Sequence, residues 1–482
     1  MYIVDLLEKQ QQVQVIIFHQ LLEHEFEQTV DELLAEIQIS RPTLLKEFMQ
    51  LQQTIHRYHE QTSLQIENKE RIFLTLPINF PVQAFLYDEY YSQSINVQLI
   101  EYFYLQGEVS IPRLTMDFQL SEASLFRKLK HLNHLLSEFD LYYKNKQIIG
   151  DSRIFQMFFF EFFTQIYATQ RLDELFQRHS FQNLVTILEK QLDLTLTSTK
   201  KRQLVIWLVI AEKRLENQDF LINTQFSYLK TEPHDDYFKK VAQIFIRFSS
   251  RYAVQWPEEL IYQFYQFLYA SGILTISKNA EEENKEKTAF PTIIALSLAI
   301  EKELIEDPLS HSSYLFPNLV QLHCYILFFK RFLVKHRPIF PLLSDQNPTL
   351  MERCMGLVET ASNHSLSTLE WRILDEQYGR MYTVIRKQRT QQKPIFYMMC
   401  ISSDALFQQE TQQFLAEYNR EQTAYQIRLT KHPAKAIILL YDTCEMEPVA
   451  DSLATHYRFC LADSQWTNYE KTRFHQFIQQ EL

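Results

Sequence analysis

Three kinds of side chain in this 482-residue chain could do chemistry: clustered cations, scattered histidines and scattered cysteines. The cations are the best organised. In "SEASLFRKLKHLNHLLSEFD", residues 121–140, Arg127, Lys128, Lys130 and His131 stand among Leu125, Leu129, Leu132, Leu136 and Phe139. The five apolar residues recur at spacings of four and three, so a helix gathers them on one buried face. Arg127, Lys128 and His131 then project largely from the other face. Guanidinium and ammonium groups presented in this way can bind phosphate oxygens. They could equally be solvated surface, and the neighbouring elements decide between the two.

Those neighbours predict a helix-turn-helix. Ser94 to Tyr104 reads as a helix that buries Leu99, Ile100 and Phe103, and Gly107 ends it. Ser110 can cap a short second helix running to Phe118, with Pro112 in its first turn. Leu120 lies in the turn, and Ser121 caps the third helix, with Glu122 and Ser124 in its first turn. Two helices joined by a short turn, the second one basic, form the arrangement that lays a helix in the DNA major groove. In "LYYKNKQIIG", residues 141–143 and 147–149 can pair as a hairpin with Lys144-Asn145-Lys146 at its tip. That hairpin would be a wing whose lysines reach phosphate. The candidate DNA contacts of this unit are Ser124, Arg127, Lys128, His131, Lys144 and Lys146.

A second copy of the pattern lies earlier. In "QTVDELLAEIQISRPTLLKEFMQLQQTI", Thr29 is a cap with Glu32 at the capping-box position, and Ile37 and Ile39 fall around the turn. Ser40 caps a further helix whose buried stripe is Leu44, Phe48, Leu51 and Ile55. "LQIENKERIFLTL" reads as two short strands around Glu67-Asn68-Lys69-Glu70. Arg41, Thr43 and Lys46 are the exposed candidates here, while Glu47, Glu67 and Glu70 make this unit less basic than the second. One such unit could be a generic three-helix bundle. Two in tandem favour DNA binding.

The whole chain sets the limits. Its length suggests about three or four domains, and 46% hydrophobic residues are ample for folded cores. Five glycines and the absence of any glycine-rich phosphate loop argue against a nucleotide-dependent enzyme. The net charge of −11 counts mildly against nucleic acid, but a binding face can be locally basic. Cys324, Cys354, Cys400, Cys444 and Cys460 are scattered, which fits reduced thiols. Asp5 and Glu8 disfavour a secretory signal, and no apolar run approaches the ~20 residues of a membrane span, so a soluble cytoplasmic protein is expected. The fifteen histidines form no H-x-x-x-H, and neither a metal nor a cofactor is expected.

The stretch "LSEASLFRKLKHLNHLLSEFDLYY", continuing to "QIIGD" with Gly150 after the short strand, resembles the second winged helix of the Mga-type virulence regulators of Gram-positive cocci and their relatives. The order of segments follows that family's plan over essentially the whole length. The resemblance implies a mainly α, multidomain fold: two N-terminal winged helix-turn-helix domains, two helical phosphotransferase-system regulation domains and a small α/β domain like a phosphotransferase IIB component. The corresponding boundaries are 1–80, 81–150, 151–276, 289–386 and 394–482, with the charged stretch "SKNAEEENKEKT" (277–288) as a linker between the helical domains. By resemblance the protein is a transcriptional activator that works as a homodimer or larger oligomer.

In the regulation domains of that family a histidine about two helical turns before an arginine accepts a phosphoryl group. Imidazole suits the task, being nucleophilic near neutral pH. Counting back from Arg214 reaches Trp207, so the first domain departs from the pattern, and His234 is a nearby alternative. In the second domain His323 precedes Lys330 and Arg331 by seven and eight residues, and His311 is a third candidate. His323 also lies between Leu322 and Cys324 on an apolar helix, where packing competes with phosphorylation; His336 reads as surface. "PIFYMMCI", "YQIRLT", "AKAIILLYD" and "THYRFCLA" read as strands alternating with helices, which implies a largely parallel sheet. Cys400 stands where a IIB component carries phosphate, but its loop lacks glycine and no cation is adjacent, so an interaction domain is expected.

The expected function is therefore a DNA-binding regulator rather than an enzyme. Its partners would be double-stranded DNA and phosphotransferase-system phosphocarrier proteins. Two alternatives stand beside it: a sugar phosphotransferase phosphocarrier, and an RNA-binding antiterminator. The latter would begin with a small β-rich module instead of helices.

Overall fold

Side-chain caps divide the first 150 positions into short helices. The computed structural model describes residues 1–23, 27–68, 70–216, 236–276, 290–305, 314–329, 342–363, 365–391, 395–402, 404–421, 426–430, 437–441, 457–461 and 466–481. After α1 (Lys9–Glu23), strand β1 (Glu27–Thr29) leads into α2 (Val30–Ile37). The Thr29 hydroxyl accepts from the Glu32 amide at 3.2 Å, and the Glu32 carboxylate accepts from the Thr29 amide at 2.8 Å, closing the capping box. Gln38 ends α2 in the left-handed region, φ 57°. Ser40 then caps α3 (Arg41–Tyr58), which buries Leu44, Phe48, Leu51 and Ile55. Strands β2 (Ser63–Glu67) and β3 (Arg71–Thr75) pair antiparallel, and β1 adds to the free edge of β3.

The pattern repeats after α4 (Val82–Glu89). Helices α5 (Ile95–Gln106), α6 (Ile111–Asp117) and α7 (Glu122–Ser137) are followed by the hairpin β4 (Tyr142–Lys144) and β5 (Gln147–Ile149). Leu125, Leu129, Leu132, Leu136 and Phe139 are all buried, joined by Leu135. Gly150 is required by a close approach: a Cβ there would lie 2.8 Å from the Asp140 carbonyl oxygen.

From Asp151, which caps α8 (Ser152–Ile166), the elements among the described residues up to Gln391 are all helices. It continues as α9 (Thr169–Phe176), α10 (His179–Gln191), α11 (Ser198–Glu216), α12 (Asp236–Tyr252), α13 (Glu258–Ala270), α14 (Pro291–Leu304), α15 (Leu315–Phe329), α16 (Leu343–Gln346), α17 (Pro348–Ser362) and α18 (Thr368–Gln391). The phenylalanines of α8 are buried on several sides, as their number demands; Phe159 and Phe163 pack on Tyr104 of α5, and Phe158 on Phe139. Trp207 of α11 stacks on Phe267 of α13 at 4.0 Å and meets Phe329 of α15 edge-on. Aromatic packing thus runs without a break through helices on both sides of positions 277–289, which themselves lie outside the described residues.

The chain divides into two compact units, Met1–Tyr382 and Thr383–Leu482. In the second, β6 (Ile395–Ile401), α19 (Ala405–Glu421), β7 (Gln426–Leu429), β8 (Ile438–Tyr441), β9 (Tyr457–Cys460) and α20 (Asn468–Glu481) form an α/β fold. Among the described residues of this unit all strand pairs are parallel, in the order β7-β6-β8-β9. Met398, Leu440 and Phe459 share a core with Phe407, Phe414, Phe474 and Ile478 from α19 and α20. Helices therefore cover that face of the sheet, as parallel strands need.

Candidate nucleic-acid interface

Two helices carry the candidate surface, and they begin alike. The Ser40 hydroxyl accepts from the Thr43 amide at 3.4 Å and lies 2.8 Å from the Thr43 hydroxyl; Ser121 does the same with Ser124, at 3.3 and 3.0 Å. Thr43 and Ser124 are therefore held within the caps. The fifth residue after each cap is an exposed apolar side chain, Leu45 or Phe126, and the sixth is an exposed cation, Lys46 or Arg127. Arg127 lies back along its helix, donating to the Ser124 hydroxyl at 3.2 Å.

The seventh residue behaves differently from what the sequence suggests. Lys128 is partly exposed and forms an ion pair at the surface with Glu8, just before α1. At the matching place in α3, Glu47 is buried and accepts from the Gln14 side-chain amide at 2.7 Å. Gln14 also donates to Gln50 at 2.8 Å and accepts from the Tyr90 hydroxyl at 3.1 Å. The start of α1 is thus a common seat for both candidate reading helices. Lys130, which the face-by-face reading passed over, is exposed, as are His131, Lys144 and Lys146. Arg41 and Lys46 are exposed on α3.

The hairpin is locked onto α7. The Asn133 side chain accepts from the Tyr143 amide at 2.6 Å and donates to the Tyr143 carbonyl at 3.2 Å, while the Tyr143 ring stacks on Phe103 at 4.3 Å. At the tip, Asn145 and Lys146 both take positive φ, 53° and 71°, the geometry of a tight two-residue hairpin turn. Lysine is a costly choice at the second of these places, where glycine fits best. The Val109 amide donates to the Lys146 carbonyl at 2.9 Å and fixes the tip against the α5–α6 loop.

The helical segment is tied to this unit. Lys213 of α11 donates to the Leu105 carbonyl in the last turn of α5 at 3.0 Å, and Arg214 donates to the Ser152 hydroxyl at 3.1 Å and covers the Phe155 ring. Both cations stand in the last turn of α11, and from there they also hold it against α5 and α8. Tyr167 and Arg171 both reach Glu101 of α5, at 2.8 and 3.1 Å.

His323 is fully buried. Its Nδ1 lies 2.8 Å from the Ser297 hydroxyl of α14 and its Nε2 lies 2.7 Å from the Tyr378 hydroxyl of α18. Ser297 donates its own proton to the Ile293 carbonyl at 2.7 Å, so it accepts from Nδ1–H, and Tyr378 donates to Nε2. Burial pushes the imidazolium pKa down to about 3. In the folded state the imidazole is neutral and buried, and both nitrogens are hydrogen-bonded to neighbouring helices. Trp207, where the first regulation domain would carry its histidine, is buried in the aromatic core. His234, His311 and His336 lie outside the described residues, as do Lys330 and Arg331. Cys400 is half-buried and packs against the helix-covered core of the second unit. Among the described residues no group of three His, Cys, Asp or Glu is placed to hold a metal ion, and no helix is long and apolar enough to cross a membrane.

No curated protein matches the chain. The family model described as the Mga helix-turn-helix domain matches residues 82–163, which span α4 to α7, the β4–β5 hairpin and most of α8. The residues that carry the basic face, its caps and its hairpin all fall inside that match, so this segment is similar to the helix-turn-helix domain of the Mga-type regulators.

Proposed function

We propose that the protein is a DNA-binding transcriptional regulator of the activator type, with tandem winged helix-turn-helix domains at 1–80 and 81–150. The observation that carries this is the coincidence of the family match with an exposed basic helix and a basic hairpin tip, in a chain of overall charge −11. Arg127, Lys130, His131, Lys144 and Lys146 contact phosphates and groove edges, with Arg41 and Lys46 adding contacts from the first unit. Lys128 serves mainly to seat α7 on Glu8. The helices of 151–276 and 289–386 act as phosphotransferase-type regulation domains, and 394–482 as a IIB-like interaction domain in a homo-oligomer. The all-parallel four-stranded sheet supports the last assignment. Phosphocarrier proteins would meet the regulation domains at His234 or His311, because His323 is sealed in.

The test is binding of the full chain to duplex DNA, followed by fluorescence anisotropy across a salt series. Arg127→Ala/Lys130→Ala should shrink the log–log salt slope by roughly 1.8, about 0.9 per lost phosphate contact, while Lys128→Met should leave it nearly unchanged. No binding by the wild-type chain at low salt would overturn the proposal.

A further inference from the structure

We infer that Phe126 is a sequence-reading residue of α7, recognising a thymine methyl group in the major groove. The inference rests on the DNA-binding reading above and names what that surface discriminates.

Phe126 is 54% exposed in the middle of a basic face, between the cap and the hairpin. A phenylalanine held in water gives up burial that the same side chain gains inside the protein. Nothing in the fold of α7 calls for it, since Leu125, Leu129, Leu132 and Leu136 already make the core. Phe126, Lys130 and Asn133 follow one another at spacings of four and three, so they form a single strip. Asn133 ends that strip at the hairpin through its two bonds to Tyr143. The apolar ring therefore lies on the ridge bounded by Arg127 and Lys130 and leading to Lys144 and Lys146.

Charge decides the occupant. An apolar protein partner would have to desolvate these cations, whereas a DNA groove supplies phosphates to them and a methyl group to the ring. Among base edges in the major groove, thymine alone offers a methyl, and apolar side chains are its usual contact. The position is also right, because the N-terminal half of a reading helix meets the bases. The first unit repeats the device: Leu45, 37% exposed, stands at the same distance from its cap and is likewise followed by a cation, Lys46.

The experiment starts with duplexes selected by the wild-type full chain from a randomised pool. Each thymine of the selected site is then replaced by deoxyuridine, which removes only the methyl. One or two positions should lose about 4-fold in affinity, the value of one buried methyl-sized group. Phe126→Ala should bind the thymine duplex more weakly, lose sensitivity to uracil at those positions, and keep the wild-type salt slope. Phe126→Leu should retain part of the sensitivity. Equal uracil sensitivity in wild type and Phe126→Ala would overturn the inference while leaving DNA binding intact. A change of oligomeric state in Phe126→Ala, measured by sedimentation, would assign the ring to a protein interface and overturn it as well. Failure of the wild type to select any duplex would instead overturn the DNA-binding reading itself.

Discussion

Lowering the pH should destabilise the helical segment through His323, and the size of the effect follows from the geometry. A free imidazole takes up a proton near 6.5. In the fold, burial moves this to about 3, and the ring's two nitrogens are committed to Ser297 and Tyr378. Between those two values the unfolded chain binds a proton that the folded chain does not. The contribution is therefore full above about pH 6.5 and is lost as the pH falls towards 3, at about 1.4 kcal/mol per unit. From pH 7.5 to 5.0 the loss is about 2 kcal/mol. The neighbouring Tyr378, Cys324 and Cys354 do not titrate in this window, because burial pushes all three pKa values up. Groups elsewhere in the chain also change charge between these pH values, so the quantity to measure is a difference. Urea unfolding of wild type and His323→Gln, followed by circular dichroism at both pH values, should give a wild-type loss larger by about 2 kcal/mol. Parallel pH dependences would refute the reasoning, since they would mean that the folded ring protonates as freely as the unfolded one.

Three further outcomes are expected. Lys146→Gly should relieve the left-handed backbone and slow hydrogen exchange at the Val109 amide, while reducing the DNA salt slope by about 0.9, so that stability and affinity move in opposite directions. Trp207→Ala should cost about 3–5 kcal/mol in urea unfolding, since it empties a stacked site between α8, α13 and α15. Gln14→Ala should cost about 2–3 kcal/mol by leaving the buried Glu47 carboxylate without its amide donor; adding Glu47→Met should recover part of that loss, as thermal unfolding of the single and double variants would reveal.

Local chemistry was legible in the sequence where it acts over a few residues. The caps at Thr29, Ser40 and Ser121 mark helix starts, and the alternation in 141–149 marks a hairpin, because each involves partners within one or two turns; Ser110 precedes its helix without a side-chain cap bond. The strand–helix alternation after residue 394 likewise follows from short runs with one period. What escaped are contacts between distant parts of the chain. Lys128 reads as a free cation until Glu8, 120 residues away, is brought beside it. His323 is ambiguous by its neighbours in sequence and becomes a sealed residue only when Ser297 and Tyr378 arrive from other helices. Lys213 and Arg214 stand at the end of α11, and only the fold shows that they also reach Leu105 and Ser152. Phe126 did carry a signal: an apolar residue outside the leucine stripe of an amphipathic helix.

The opposite charges seven residues after each serine cap bear on how tandem copies find their own places during folding. Similar neighbours in one chain invite exchange of equivalent helices, a common route to misassembly. Here α3 brings Glu47 to Gln14, and α7 brings Lys128 to Glu8. If the two helices traded seats, Glu47 would face Glu8, carboxylate against carboxylate, and Lys128 would face a neutral amide. The wrong arrangement is repelled at one seat and unrewarded at the other. The beginning of α1 thus acts as a proofreader, sorting two look-alike helices by the sign of a single side chain.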